Sequence, residues 1–328
     1  MPDVYLHALA SARGSQIECN DAASLGQSSE ECERIVRKTG VRSRPIAAPG
    51  EFTSDLAQMA TSRLLAQGTP SAASIRFLVV CTQTPDHLIP GVSSKLHGAL
   101  NFSQDCFVMD INQGCSGFVL GTQTMVGLLQ RASPEATAVL VNADTYTRLV
   151  RKDDLTTRVL FGDAAVATMF TTKRSGFRVI DCQSYADGSG YDAFVANNSA
   201  LMQETDVARG IHMDGPGILN FALRMVPASV NAMLEKHGLR TNQLRMLLFH
   251  QANSFVTQQL ARKMGLASTQ VPENCTHLGN TVSASIPLLL EEQLPLLKAG
   301  DLVLAAGFGV GLSWGTLLLE RVEDQGIA

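Results

Sequence analysis

Cys106-Phe107-Val108-Met109-Asp110-Ile111-Asn112-Gln113-Gly114-Cys115-Ser116-Gly117-Phe118 is the stretch whose reading decides the fold. An apolar strand, Cys106 to Met109, runs into a tight polar segment with small residues on both sides of one cysteine. Beyond it, Val119-Leu120-Gly121 and Met125-Val126-Gly127-Leu128-Leu129 recur at helical spacing, which predicts a buried helix starting near Cys115. The thiol is then expected at a strand-to-helix turn, where the positive end of a helix dipole stabilises a thiolate. Gly114 and Gly117 leave room for a substrate and for neighbouring backbone. A buried structural cysteine in a glycine-rich turn has the same local signature.

Two distant segments separate these readings. Leu247-Leu248-Phe249-His250-Gln251-Ala252-Asn253 is an apolar strand that ends on a histidine. His277-Leu278-Gly279-Asn280-Thr281-Val282-Ser283-Ala284-Ser285 is a Gly-Asn turn that leads into a small-residue helix. Cys115, His250 and Asn280 each stand where an apolar strand ends or a helix begins, the position at which α/β folds place their chemistry.

With these segments in view, the sequence resembles the thiolase superfamily, and within it the β-ketoacyl-acyl-carrier-protein synthase III branch of condensing enzymes. The matching pieces are Gln113 to Phe118, Phe161-Gly162-Asp163-Ala164-Ala165, His250-Gln251-Ala252-Asn253, Gly279-Asn280-Thr281, and Phe308-Gly309-Val310-Gly311-Leu312-Ser313-Trp314-Gly315. They fall in the family's order, and the likeness runs from about Ile35 to the C-terminus. The resemblance implies an α/β thiolase-like fold, with duplicated βαβαβαββ halves in five layers (αβαβα), and a homodimer; a heteromeric partner stays open.

The bulk properties fit that picture. Hydrophobic residues make up 45% of the 328 and charged residues 17%, as expected of a large core. A net charge of −4 gives no basic footprint for nucleic acid. No apolar run reaches the roughly 20 residues of a bilayer span, and the N-terminus lacks the pattern of a signal peptide. The seven cysteines show no CxxC spacing, so a reducing cytoplasm is the expected setting, without metal site or disulfide framework.

Along the chain, residues 4–10 read as a first strand and Ser28 to Thr39 as a charged helix capped by Ser29. Thr53 to Ala66, Val92 to Leu100, Ile218 to Lys236 and Ser254 to Met264 read as further helices. Buried strands are expected at 77–81 and 138–143, and a closing pair at 302–306 and 317–320. Lys173-Arg174-Ser175-Gly176 reads as the joint between halves at 1–172 and 173–328. The first half carries the cysteine; the second carries the histidine and asparagine. The polar, glycine-rich stretch from Ala186 to Gly217 reads as a functional loop.

Carbon–carbon condensation between two thioesters requires a soft nucleophile that accepts and releases an acyl group, a carbanion, and donors for the enolate oxygen. Cys115 fits the first role. By resemblance, His250 Nε2 and the Asn280 amide serve the enolate, while the backbone N–H groups of Cys115 and Val310 form the oxyanion hole for acyl transfer. The family usually has glycine where Val310 stands. Phe308 is carried over as the aromatic flanking the cysteine. Leu88, Phe161, Leu201, Met213 and Gly215 are candidates for the acyl pocket, and Asp163 reads as a structural turn residue.

The family commonly clamps adenine between a tryptophan and an arginine; this chain has Arg34 and Leu155 at the corresponding positions, and Trp314 lies elsewhere. Arg37, Lys38 and Arg151 are candidates for coenzyme A phosphates or for solvated surface. Arg262 and Lys263 match a patch that meets acyl carrier protein, with Phe255 in place of a frequent arginine. The expected substrates are acyl-coenzyme A or acyl-carrier protein, with no tightly bound cofactor. Three functions remain open: decarboxylative condensation with malonyl-acyl carrier protein in fatty-acid initiation or a specialised pathway, acyl transfer forming an ester or amide on a small acceptor, and a non-catalytic subunit that shapes a partner's pocket. The intact Cys-His-Asn set favours the first.

Overall fold

The computed structural model describes residues 1–68, 72–197 and 210–323. The strands are β1 (Tyr5–Arg13), β2 (Gln16–Cys19), β3 (Ser43–Ile46), β4 (Ile75–Cys81), β5 (Phe107–Ile111), β6 (Thr137–Asp144), β7 (Ala164–Thr171), β8 (Phe177–Ala186), β9 (Phe194–Ala196), β10 (Ile211–Met213), β11 (Leu244–Phe249), β12 (Leu302–Gly309) and β13 (Ser313–Arg321). The helices are α1 (Ala22–Leu25), α2 (Ser29–Thr39), α3 (Thr53–Leu65), α4 (Val92–Ala99), α5 (Gly117–Leu129), α6 (Leu155–Arg158), α7 (Gly215–Lys236), α8 (Ser254–Lys263), α9 (Cys275–Leu278) and α10 (Ser285–Gln293).

Nine strands form one sheet in the order β11-β12-β13-β8-β1-β7-β6-β4-β5. It consists of two similar units that meet at β1 and β8, whose register holds only Tyr5↔Arg178 and Leu6↔Phe177. In the first unit β4 lies parallel to β5 and β6, while β7 runs antiparallel to β6 and β1. In the second unit β11 lies parallel to β12, and β13 runs antiparallel to β12 and β8. Among the described residues the second unit therefore repeats the first one strand short. The missing counterpart is that of β5, the strand that leads to Cys115.

Period-two burial sorts the strand residues into layers. Leu78, Val80, Val139, Val141, Ala165 and Ala167 face outward onto α3 and α4. Their neighbours Val79, Cys81, Leu140 and Val166 face inward, with Met246, Leu248, Val303 and Leu317, onto α5 and α10. Leu247, Phe249, Leu304 and Leu318 face the other way, onto α7 and α8. Helix, sheet, helix, sheet, helix: this is the five-layer α/β thiolase-like architecture, and it explains why α5 buries Phe118, Val119, Met125 and Leu129. Helix α7, at 22 residues, is by length and composition sufficient to cross a membrane, but its Phe221, Val226, Val230 and Met233 pack on the sheet.

Several boundaries differ from expectation for local reasons. Ser28 caps α2, not Ser29: its backbone is extended and its hydroxyl accepts the Glu31 N–H at 3.2 Å. Helix α7 starts at Gly215, three residues early, because the Asp214 carboxylate accepts the Gly217 N–H at 3.0 Å and Pro216 suits a first turn. The 186–217 stretch holds a short hairpin, β9 with β10. After Asn280 the chain makes a 3₁₀ turn, Val282–Ala284, before α10 begins.

Candidate active site

A cavity of about 90 Å³ between the two units is lined by Cys115, His250, Asn280, Phe308 and Val310. They come from four junctions: the β5–α5 turn, the end of β11, the turn after α9, and the end of β12, which supplies both Phe308 and Val310. Residues 165 positions apart in the chain thus face one small volume.

Cys115 stands two residues before α5 and is buried. The strand β12 passes so close that a Cβ on Gly309 would lie 2.8 Å from the Cys115 Sγ, so only glycine fits there. The expected low-pKa thiolate is not what the environment favours. Burial pushes the thiol up to about 12, against the opposing pull of the Val310 and Cys115 N–H groups, with buried Asp144 adding to the rise. Desolvation outweighs the helix end, and the resting group is a neutral thiol. Both N–H groups nevertheless lie close to the sulfur.

His250 follows β11, its N–H bonded to the Ala306 carbonyl at 2.9 Å, and it is 1% exposed. Burial lowers its pKa to about 3, so the ring is neutral. Nδ1 lies 2.7 Å from the Ser285 hydroxyl, which in turn lies 3.5 Å from the Gln251 N–H. A Ser285 hydroxyl donating to Nδ1 corresponds to the tautomer that carries its proton on Nε2. Nε2 is buried without a protein partner. The Phe308 ring meets the imidazole edge-on at 5.6 Å and 86°.

Asn280 is fixed through its own backbone. Its N–H donates to the Leu160 carbonyl at 2.8 Å and its carbonyl accepts the Gly162 N–H at 3.1 Å. This approach requires Gly279, which has φ 63° and where a Cβ would meet the Leu160 oxygen at 2.4 Å. The side-chain Oδ1 accepts the Val282 N–H at 3.0 Å, which turns the amide's donor end to the cavity.

Of the expected acyl-pocket residues, Phe161, Met213 and Gly215 line this cavity. Phe161 packs against Tyr146 at 5.0 Å and Phe194 at 6.3 Å, an aromatic wall. Leu88 does not join them: it is 68% exposed and lines a separate space of about 840 Å³, from which Val310 divides the Cys115 cavity. Its loop precedes α4 and lies on the far side of Val310. Leu201 lies outside the described residues.

The candidate cations lie on the surface. Arg37 pairs with Glu33 at 3.5 Å and Arg151 with Asp153 at 3.2 Å, while Lys38, Arg262 and Lys263 are exposed. Helix α2, which carries Arg37 and Lys38, packs on α8, which carries Arg262 and Lys263, so the four lie on neighbouring helices. Arg34 is held by Glu31 through two contacts of 2.9 and 2.6 Å, and Leu155 packs into the cluster around Tyr146. Trp314 is enclosed by Tyr185 and Phe221, each at 5.5 Å.

Asp163 accepts the N–H groups of Ala47 and Thr147 at 2.8 and 3.0 Å, the structural role expected of it. Three supporting residues gave no comparable signal in the sequence. Asp144, at the end of β6, accepts from the Gln83 N–H at 2.9 Å, from Thr84 at 3.1 Å and from Ser283 at 3.1 Å, so it ties the Asn280 turn to the first unit. Arg44 is wholly buried, pairs with Glu18 at 2.7 Å and donates to the Phe161 carbonyl at 3.2 Å. Ser285 is the third. Only a prior fold assignment points to any of them, since none sits in a recognisable spacing.

Known proteins with this geometry are readily found. Residues 109–188 match the model of 3-oxoacyl-[acyl-carrier-protein] synthase III, and residues 234–321 the model of its C-terminal region. A β-ketoacyl-[acyl-carrier-protein] synthase III of Levilactobacillus brevis is 34% identical over 296 residues, covering 88% of this chain and 90% of the relative. A solved 3-oxoacyl-(acyl-carrier-protein) synthase III superposes with a TM-score of 0.90 at 31% identity, over 97% of this chain and 100% of that one. The 3-oxoacyl-(acyl-carrier protein) synthase of Burkholderia xenovorans gives 0.89 at 30% identity, over 98% and 94% of the two chains.

Proposed function

The chain belongs to the β-ketoacyl-acyl-carrier-protein synthase III family of condensing enzymes, and on that premise we propose that it loads an acyl group onto Cys115 and condenses it with a malonyl group carried on acyl carrier protein. One observation carries the reading. A single cavity has a thiol with two N–H donors on one wall, and on the other an unpartnered His250 Nε2 beside the Asn280 amide.

In the first half-reaction Cys115 Sγ attacks the thioester carbonyl of the donor. The N–H groups of Val310 and Cys115 hold the oxyanion, and the donor's thiol departs with the proton that Cys115 loses. The thiol's high pKa suits this exchange, since both reactant and product carry a protonated sulfur. In the second, the malonyl carboxylate leaves as CO₂ and its electron pair forms an enolate. Its oxygen receives hydrogen bonds from His250 Nε2 and the Asn280 amide. The enolate carbon attacks the acyl carbonyl on Cys115, the carbon–sulfur bond breaks, and the Cys115 thiolate takes a proton. An ester- or amide-forming acyltransferase has no comparable use for the Asn280 donor.

The small cavity and the Val310 side chain favour a short acyl primer. Arg34 tied to Glu31, with Leu155 packed inward, favours a donor recognised without an adenine clamp, and the cations on α2 and α8 offer a face for an acidic carrier protein. The unpaired edge of β5, with exposed Phe107, favours pairing with a second copy.

The test is intact-mass analysis after incubation with one acyl chain on coenzyme A, pantetheine or carrier protein, followed by malonyl-carrier protein. An adduct on Cys115 that disappears as a β-ketoacyl product forms is the expected result; no adduct from any donor would overturn the assignment. Base stacking contributes about 1–3 kcal/mol. Coenzyme A outpacing pantetheine by much more than tenfold would therefore overturn the donor reading alone.

A further inference from the structure

The two N–H donors around Cys115 belong to separate segments, the 113–116 turn and the 309–313 turn, and something must hold one against the other. Three polar side chains bridge them. The Gln113 amide nitrogen donates to the Ser116 hydroxyl at 2.8 Å and to the Ser313 hydroxyl at 2.6 Å. The two serine oxygens lie 2.8 Å apart, and Ser313 donates to the Val310 carbonyl at 2.7 Å. Ser116 and Ser313 are buried.

Counting protons leaves one arrangement. The Gln113 amide nitrogen only donates, and both serine oxygens lie within its reach. Ser313 spends its only proton on the Val310 carbonyl, so between the serines Ser116 must be the donor. Ser313 then accepts from Gln113 and Ser116, filling both lone pairs. The chain of bonds runs one way and ends on the residue whose N–H faces the Cys115 sulfur. The two segments are also in close contact along the backbone: a Cβ on Gly307 would lie 2.8 Å from the Ser116 Cα, and one on Gly114 would lie 2.5 Å from a Val310 methyl. Packing of this kind sets the distance between the segments; directional hydrogen bonds set their orientation.

We infer that Gln113, Ser116 and Ser313 are positioning residues that align the Val310 N–H with Cys115, and so govern acyl transfer to and from the sulfur without touching the decarboxylation donors. The inference rests on the acyl-loading role proposed for Cys115. Removing Ser313 breaks the link to Val310, whereas removing Ser116 leaves the direct path from Gln113 through Ser313. A misplaced donor costs up to about 10²-fold in rate, so the effects should be graded.

The experiment measures Cys115 acylation (rate at saturating donor, and KM) separately from CO₂ release from malonyl-carrier protein, in wild type, Ser313→Ala, Ser116→Ala and Ser313→Thr. We expect Ser313→Ala to slow acylation by about 10- to 100-fold with KM within about twofold and CO₂ release near the wild-type rate. Ser116→Ala should slow acylation only a few fold, and Ser313→Thr, which keeps the hydroxyl, should recover most of the rate. Wild-type acylation by Ser313→Ala, or equal losses of acylation and CO₂ release in that variant, would overturn the positioning role. If wild type itself forms no adduct, the failure lies with the function proposed for Cys115.

Discussion

The two walls of the cavity present hydrogen-bond donors of different kinds. On the Cys115 wall the donors are backbone N–H groups of Cys115 and Val310. On the opposite wall they are side chains, His250 and Asn280, each set by a neighbour: Ser285 on one and the Val282 N–H on the other. A backbone donor survives any substitution that preserves the turn, so the valine side chain at position 310 leaves the N–H in place. A side-chain donor is lost with a single replacement. The first wall is thus free to vary in shape, and the second is not free to vary in chemistry.

That contrast can be broken by substitution, and the largest effect belongs to the proposed nucleophile. Cys115→Ala should abolish the acyl adduct in mass spectra while the fold, followed by circular dichroism, is retained; a persistent adduct would move the nucleophile elsewhere. Asn280→Ala comes next. It should leave self-acylation largely intact but lower CO₂ release and condensation by on the order of 10²–10³, the usual loss for one oxyanion donor. Condensation at the wild-type rate would show that the second wall is not a donor wall.

Val310→Gly sharpens the comparison from the other side, because it keeps the N–H and removes only shape. The cavity should open toward the larger space beyond Val310. Two further methylenes buried at about 0.8 kcal/mol each correspond to roughly a tenfold gain for the longer acyl chain. Competition between two acyl lengths, read by adduct mass, measures the ratio, and an unchanged ratio would mean that Val310 does not bound the pocket.

The smallest effect concerns Asp144, which ties the two walls together through Ser283. Burial raises its carboxyl from 3.8 to about 7. Between those values the folded chain keeps a proton that the unfolded chain gives up. This group's contribution to stability is therefore present below about pH 4 and is lost as pH rises through about 7. His250 acts in the opposite sense: with its pKa lowered from 6.5 to about 3, its contribution is present above pH 6.5 and lost as pH falls. Asp144→Asn leaves the histidine unchanged, so the melting temperature of the variant should gain on wild type as pH rises from about 4 to 8. A difference independent of pH would show that Asp144 has an ordinary pKa in the fold.

The four residues of the His250 motif show how far sequence reading carries. His250 faces the cavity with a free nitrogen. Gln251, two atoms of backbone away, is equally buried but bonds the Phe249 carbonyl at 2.9 Å and the Asn274 N–H at 3.1 Å, and Asn253 caps α8. All four match the family equally well on paper. Their division into one reacting group and supports depends on which way each side chain turns.

Local pattern determined most strands of the large sheet, most helices and the order of the motifs, because period-two and helical burial and the caps are properties of contiguous residues. It also placed Cys115, His250 and Asn280 at element ends. It could not give the neutral thiol, since the cost of burying a charge depends on the whole surrounding volume rather than on the helix that follows. Nor could it put Leu88 beyond Val310, give Asp144 and Arg44 their partners, or reveal the bonded chain from Gln113 to Val310. Arg44 with Phe161, Gln83 with Asp144 and Gln113 with Ser313 are each more than 60 positions apart, and such distances close only when the two halves of the sheet pack around α5 and α10.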